Sequence, residues 1–217
     1  GKSLGLRSYS VNPGTNKERE WNRILEIANV PVTGVNGTLF LTNATPGYSC
    51  TAIMTCTNNT ATGDLVAYPN ADGCLLLLAD GANWAGTLVA SETIGFTNLT
   101  SAALPAKVSV GNVRFTGKLP VRVWKGASAT NDMVDISGTL TAGVAKKTGF
   151  DPVLMSGGGF ALGDEFVLGT CPAAVLAEGW ERAFTTSKWR LAAEDGGGGT
   201  VTLKLVYAPV GSEIRIR

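Results

Sequence analysis

The sequence predicts an all-β protein folded as a right-handed parallel β-helix, a solenoid of stacked coils with an antiparallel cap at its C-terminal end. Three observations predict it: short apolar runs alternate with period two, no long helices separate them, and the tripeptide Gly-Thr-[Leu/Val] recurs. A β-sandwich or jelly roll is the alternative, because Asn36-Gly37, Asp72-Gly73 and Asp80-Gly81 could each close a hairpin.

The composition indicates one β domain spanning 1–217. Hydrophobic residues make up 44% of the 217 and charged residues only 16%, well below the roughly 25% of ordinary globular proteins. The net charge is +1 and no basic run occurs, so nucleic acid is not expected as a partner. No apolar run is long enough for a transmembrane helix, so membrane insertion is not expected either.

The first 30 residues are expected to form an N-terminal cap or a first coil. In residues 15–28, Trp21, Ile24, Leu25 and Ala28 have helical spacing, whereas a strand from Arg23 to Val30 fits the same residues. Both interpretations remain open.

Residues 31–143 are expected to form the solenoid coils. Leu75–Leu78 indicate a strand buried on both faces, Asp80-Gly81 a turn, and Asn83–Gly86 the next corner, with a new strand from Thr87. Alternating apolar residues then predict further strands around 108–115, 121–123 and 134–140.

The Gly-Thr-[Leu/Val] copies begin at Gly37, Gly86, Gly138 and Gly199, at intervals of 49, 52 and 61 residues. Each interval fits two coils of about 20–30 residues. The side chains expected to point inward and stack are Leu39, Leu76 or Leu77, Leu88, Val110, Val123, Ile136 and Leu140.

Residues 144–217 are expected to cap the stack. Their apolar pattern is less regular until Val201, Leu203, Leu205 and Tyr207, which alternate. A short helix or helical turn is expected near 173–178, after Pro172.

Four segments resemble the autotransporter-associated β-strand repeat of bacterial passenger proteins: "GCLLLLADGANWAGTLVA" (73–90), "SATNDMVDISGTLTAG" (128–143), "GFALGDEFVLGTC" (159–171) and "GGGGTVTLKLVY" (196–207). The resemblance implies a right-handed parallel β-helix in a large secreted or cell-surface protein. The chain departs from the family pattern in having one good repeat copy and four cysteines. Both departures fit a C-terminal fragment, where the coils become irregular.

No catalytic, cofactor-binding or metal-binding residue is predicted. Histidine is absent, and Asp132 and Asp135 are three apart, so on one strand they face opposite sides and cannot act as a pair. The best candidates for an exposed ligand contact are Trp124 with Arg122 and Lys125.

The cysteines allow two interpretations. Cys50, Cys56, Cys74 and Cys171 could all be buried thiols, or a disulfide could join Cys56 to Cys50 or Cys74.

The sequence therefore predicts a non-catalytic structural or adhesive module of a secreted or cell-surface bacterial protein. Its expected partners are other domains of a longer chain and a polysaccharide or host surface. The alternative function is a carbohydrate-binding module of a polysaccharide-active protein.

Overall fold

A computed structural model of the chain describes residues 4–8, 23–27, 39–43, 50–57, 59–67, 74–125, 129–142, 148–176, 180 and 188–209. Their regular elements are strands and one 3₁₀ turn at Ala173–Val175. The strands are β1 (Leu4–Ser8), β2 (Arg23–Ile27), β3 (Leu39–Asn43), β4 (Cys50–Met54), β5 (Asp64–Ala67), β6 (Cys74–Ala79), β7 (Asn83–Ala90), β8 (Ile94–Thr97), β9 (Lys107–Phe115), β10 (Lys118–Trp124), β11 (Thr130–Asn131), β12 (Met133–Ile136), β13 (Leu140–Thr141), β14 (Gly149–Ser156), β15 (Glu165–Pro172), β16 (Trp189–Gly197) and β17 (Thr200–Tyr207).

Two parallel sheets form the first part of the molecule. One has the order β1-β3-β5-β7-β9-β12, with β13 also paired to β9, and the other has the order β2-β4-β6-β8. Every pair in both sheets is parallel. The all-β class and the mainly parallel pairing are therefore confirmed, and an antiparallel jelly roll does not fit these sheets.

Two smaller sheets complete the described chain. In one, β10 pairs with β14 in parallel and with β11 antiparallel; in the other, β17 lies between β15 and β16 and pairs antiparallel with both. The expected antiparallel C-terminal strands are confirmed from Glu165 onward. β14 also follows Gly143, yet it extends a parallel pairing.

A ladder of aliphatic residues runs through the first parallel sheet. Register aligns Leu39, Leu65, Leu88, Val113 and Leu140 in turn. They lie 26, 23, 25 and 27 residues apart, and the four whose side chains are described are buried. Removing a side chain of this kind from water contributes about 1.5–3 kcal/mol, so the ladder is a main source of stability.

The prediction of inward residues is confirmed wherever the side chains are described. Buried are Leu76, Leu88, Val110, Val123, Ile136 and Leu140. Leu77 is only partly buried, and the side chain of Leu39 lies outside the described part of the structure.

A glycine precedes each member of this ladder by two positions: Gly37, Gly63, Gly86, Gly111 and Gly138. A Cβ atom on Gly86 would collide with the Gly63 carbonyl oxygen, and one on Gly111 with the carbonyl oxygen of Ala85. Neighbouring strands therefore approach closely here, and glycine permits the approach.

Three of the four Gly-Thr-[Leu/Val] copies end on the aliphatic ladder. The fourth, at Gly199, lies instead at the tip of the β16–β17 hairpin, where Gly197, Gly198 and Gly199 all have positive φ. Its match to the tripeptide is a coincidence of turn composition.

The stretch from Leu75 to Gly86 differs from its prediction. Leu75 and Leu77 are partly exposed, so β6 is not buried on both faces. Asn83–Gly86 belong to β7 and make no corner. The indole Nε1 of Trp84 donates to the Gly63 carbonyl oxygen at 3.0 Å, which holds this segment in the sheet with an irregularity in register after it.

Asp80-Gly81 is a turn, as predicted, and Gly81 has φ 79°. It connects β6 and β7, which belong to different sheets, so it is not a hairpin. The corner is therefore the point where the chain crosses from one sheet to the other.

The structure describes part of each of the two segments with helical patterns. The strand interpretation holds for Arg23–Ile27, and the rest of 15–30 lies outside the described residues. The expected helical turn is the single 3₁₀ turn at Ala173–Val175.

Candidate functional site

The predicted contact residues lie close together, but Trp124 and Arg122 already make contacts within the protein. Trp124 is only 9% exposed, and the Arg122 guanidinium lies over its ring at 5.0 Å from the centroid. Nε and one terminal nitrogen of Arg122 each donate to the Asp132 carboxylate at 2.8 Å. Asp132 is fully buried and also accepts from the backbone N–H of Ala106 and of Arg122.

This bidentate pair serves a structural purpose. Arg122 also donates to the carbonyl oxygens of Ala102 and Leu104, so it holds the 98–106 loop against β10. A buried ion pair is tolerated when its remaining hydrogen-bonding capacity is satisfied, as it is here.

Lys125, the third predicted contact, bridges two parts of the chain. Its Nζ lies 2.6 Å from an Asp164 carboxylate oxygen and donates to the Gly159 carbonyl oxygen at 2.9 Å. The Lys125 hydrogen bond, aided by the N–H of Ala161, lowers the pKa of Asp164. The ammonium group is thus already paired with a protein carboxylate.

Asp132 and Asp135 do not converge. Asp135 lies on the outer side of β12, where it pairs with Lys107 at 2.7 Å and accepts from the N–H and hydroxyl of Thr170 at 3.0 Å. Burial alone would raise the pKa of Asp135, but the hydrogen bonds from Lys107 and Thr170 outweigh it and lower the pKa. The geometry therefore offers no acid–base pair at these two positions, because Asp132 is enclosed by Arg122.

A cleft of about 500 Å³, lined by both polar and apolar side chains, lies beside Asp135. Its floor is a register-aligned row of Asn83, Ser109 and Asp135 on three neighbouring strands. Thr170 and Thr200 from the antiparallel sheet also line it. The Oδ1 atom of Asn83 is buried and has no hydrogen-bond partner in the described structure.

A second cleft, of about 340 Å³, combines aromatic and charged side chains; we call it the aromatic cleft. It is lined by Lys118, Asp151, Pro152, Phe160, Lys188, Trp189 and Tyr207. Phe160, Trp189 and Tyr207 form one ring cluster, with centroids 4.7–5.5 Å apart. Sequence reasoning missed this cluster because its members are 18 to 47 residues apart; the alternation ending at Tyr207 was its only signal.

Cys56 and Cys171, the two cysteines with described side chains, are buried, and neither is part of a disulfide. Cys56 is therefore joined to neither Cys50 nor Cys74 by a disulfide. Burial raises the pKa of the Cys171 thiol, which disfavours the reactive thiolate. The described residues contain no cluster of metal-ligating side chains.

Among the described residues, no helix has the length and apolar character needed to cross a membrane. No protein-family model matches the chain, and no curated protein or solved structure matches it significantly.

Proposed function

We propose that the chain is a non-catalytic structural module of a secreted or cell-surface bacterial protein, built as a right-handed parallel β-helix. Residues 31–143 would form its coils, and residues from 144 onward its C-terminal cap. The resemblance to autotransporter passengers motivates the bacterial and cell-surface parts of the proposal.

The observation that carries the proposal is the alternation of strands between two parallel sheets. Odd-numbered strands from β1 to β9 pair with one another, and even-numbered strands from β2 to β8 pair with one another. A chain that crosses between two sheets at every turn and always stacks in parallel winds as a coil. The constant spacing of 23–27 residues along the aliphatic ladder supports one coil per interval.

Contacts between β12 and β15 support the cap. A Cβ atom on Gly169 would collide with the Val134 carbonyl oxygen, so β15 lies directly against the backbone of β12. Asn131 Nδ2 donates to the Val167 carbonyl oxygen at 2.8 Å, and Asp135 accepts from Thr170. Covering the last strand of a parallel stack in this way would prevent pairing with other chains.

A turnover assay tests the non-catalytic part. The purified chain is incubated with neutral and acidic polysaccharides, and the release of reducing ends is measured for the parent chain and for Asp132→Asn and Asp135→Asn. We expect no turnover. Robust turnover that either substitution abolishes would contradict the proposal.

Carbohydrate binding is the second candidate, and the aromatic cleft is the observation in its favour. Half-buried rings beside charged groups suit a sugar, which has apolar C–H faces and a polar rim. The predicted contact residues do not supply such a surface, because Trp124 and Arg122 are committed to packing and to Asp132.

A further inference from the structure

We infer that the aromatic cleft binds an acidic saccharide, a sugar chain whose residues carry carboxylates, through Lys188 and Lys118 and the rings of Tyr207 and Phe160. The inference rests on the carbohydrate-binding candidate and not on the structural proposal.

Two separate parts of the fold form the walls of the cleft. β10 and β14 contribute Lys118 and Asp151, and the paired ends of β16 and β17 contribute Trp189 and Tyr207. The second wall is held in place, because the N–H of Ala208 donates to the Lys188 carbonyl oxygen at 2.9 Å. The walls are therefore largely preformed, which lowers the ordering cost of binding.

The rings differ in how far they are available to a ligand. Trp189 is only 5% exposed and serves as the base of the cluster, packed edge-on against Phe160 and Tyr207. Phe160 and Tyr207 are half-buried, with their planes inclined by 33°. Together they present an apolar surface held in position from below.

The charges around the rings have an excess of one cation. Lys118 and Asp151 are 3.6 Å apart, and their side chains are 39% and 35% exposed, so this pair is long and solvated. Lys188 is exposed and belongs to no ion pair of the described residues. A ligand with a carboxylate would therefore meet one ammonium that no described carboxylate pairs with, and a second that is weakly held.

An acidic saccharide satisfies both requirements. Its ring C–H groups can pack on Tyr207 and Phe160, its carboxylate can accept hydrogen bonds from Lys188 and Lys118, and its hydroxyls can donate to Asp151. The volume of about 340 Å³ is at the small end of the range for ligand sites, about 300–1,000 Å³, and suits a short stretch of sugar.

The test is a titration of the chain with an oligogalacturonide and, separately, with its methyl ester, which keeps the rings and removes the charge. Binding is followed by calorimetry and by the change in the fluorescence of the five tryptophans, of which Trp189 lines the cleft. The variants are Lys188→Gln and Tyr207→Leu. Arg190→Gln is the matched control, since Arg190 is an exposed cation two residues from Lys188 that does not line the cleft.

We expect the acidic oligomer to bind, and the methyl ester and Lys188→Gln each to weaken binding about tenfold or more. Arg190→Gln should change the affinity less than about twofold. Tyr207→Leu should weaken the binding of both the acidic oligomer and its methyl ester, and the urea midpoint of this variant shows whether it folds. If that variant does not fold, Lys188→Gln still tests the inference, because Lys188 is exposed and its substitution should not disturb the fold.

Three results would overturn the inference: no binding at millimolar oligomer, equal binding of acid and ester, or equal loss in Lys188→Gln and Arg190→Gln. None of them would affect the structural proposal, which the turnover assay tests separately.

Discussion

Gly86→Ala should destabilise the protein strongly, although it adds a single methyl group. The new Cβ would collide with the Gly63 carbonyl oxygen and lie 2.7 Å from the Thr62 carbonyl carbon and 2.9 Å from the Gly63 nitrogen. All three are backbone atoms of the neighbouring strand segment, so no side chain can move aside. The two segments must separate.

The magnitude follows from what separation would break. The Gly63 carbonyl oxygen accepts hydrogen bonds from the N–H of Thr87 and from Nε1 of Trp84, both at 3.0 Å. Each contributes about 0.5–1.5 kcal/mol, and overpacking adds about 1–3 kcal/mol. Alanine restricts the conformations of the unfolded chain, which offsets about 0.5 kcal/mol of this loss. We expect a net loss of about 1.5–5.5 kcal/mol in the free energy of unfolding.

Urea unfolding followed by tryptophan fluorescence measures this loss. With a slope of about 2 kcal/mol/M, the midpoint should fall by about 1–3 M. Gly158→Ala is the control, because nothing lies within 4 Å of a Cβ atom there and its φ is not in the positive range. Its free energy of unfolding should stay within about 0.5 kcal/mol of that of the parent. Equal midpoints for the two variants would refute the close-approach explanation.

Two further predictions concern ion pairs. Asp132→Ala should cost about 3–5 kcal/mol in urea unfolding, because it leaves the guanidinium of Arg122, whose side chain is only 14% exposed, without its carboxylate partner; a loss under 1 kcal/mol would contradict this. The pKa of Asp164 is lowered in the folded protein, so the stabilisation from its pair with Lys125 is present above about pH 4 and is lost as the pH falls below the ordinary carboxyl pKa of 3.8. The difference in urea midpoint between the parent and Lys125→Gln should therefore shrink from pH 7 to pH 3. A difference independent of pH would disagree with this reasoning.

The strands themselves could be predicted because alternation is a local property of the chain. A strand places successive side chains on opposite faces. The spacing of Val108 and Val110, and of Val113 and Phe115, is therefore enough to predict β9, and the pattern from Val201 to Tyr207 is enough for β17. The recurrence of glycine before leucine likewise indicated a repeating unit. Two intervening copies, Gly63-Asp64-Leu65 and Gly111-Asn112-Val113, were missed because the middle residue varies.

The sites depended on contacts that alternation does not encode. Arg122, Trp124 and Lys125 are close together in the sequence and suggested a ligand contact. In the structure, the carboxylates of Asp132 and Asp164 pair with the two cations. Those carboxylates are 10 and 39 residues from their partners, so only the path of the chain brings them together.

By itself the sequence determined the all-β class, the positions of the best-patterned strands and the residues that point inward, since each follows from side-chain alternation over a few neighbours. The tertiary structure decided which strands pair, that Asn83–Gly86 continue a strand, and that Phe160, Trp189 and Tyr207 meet in one cleft. The physical reason is the range of the forces involved. Steric preferences act between adjacent residues, whereas register and clefts arise from close packing between segments separated by tens of residues.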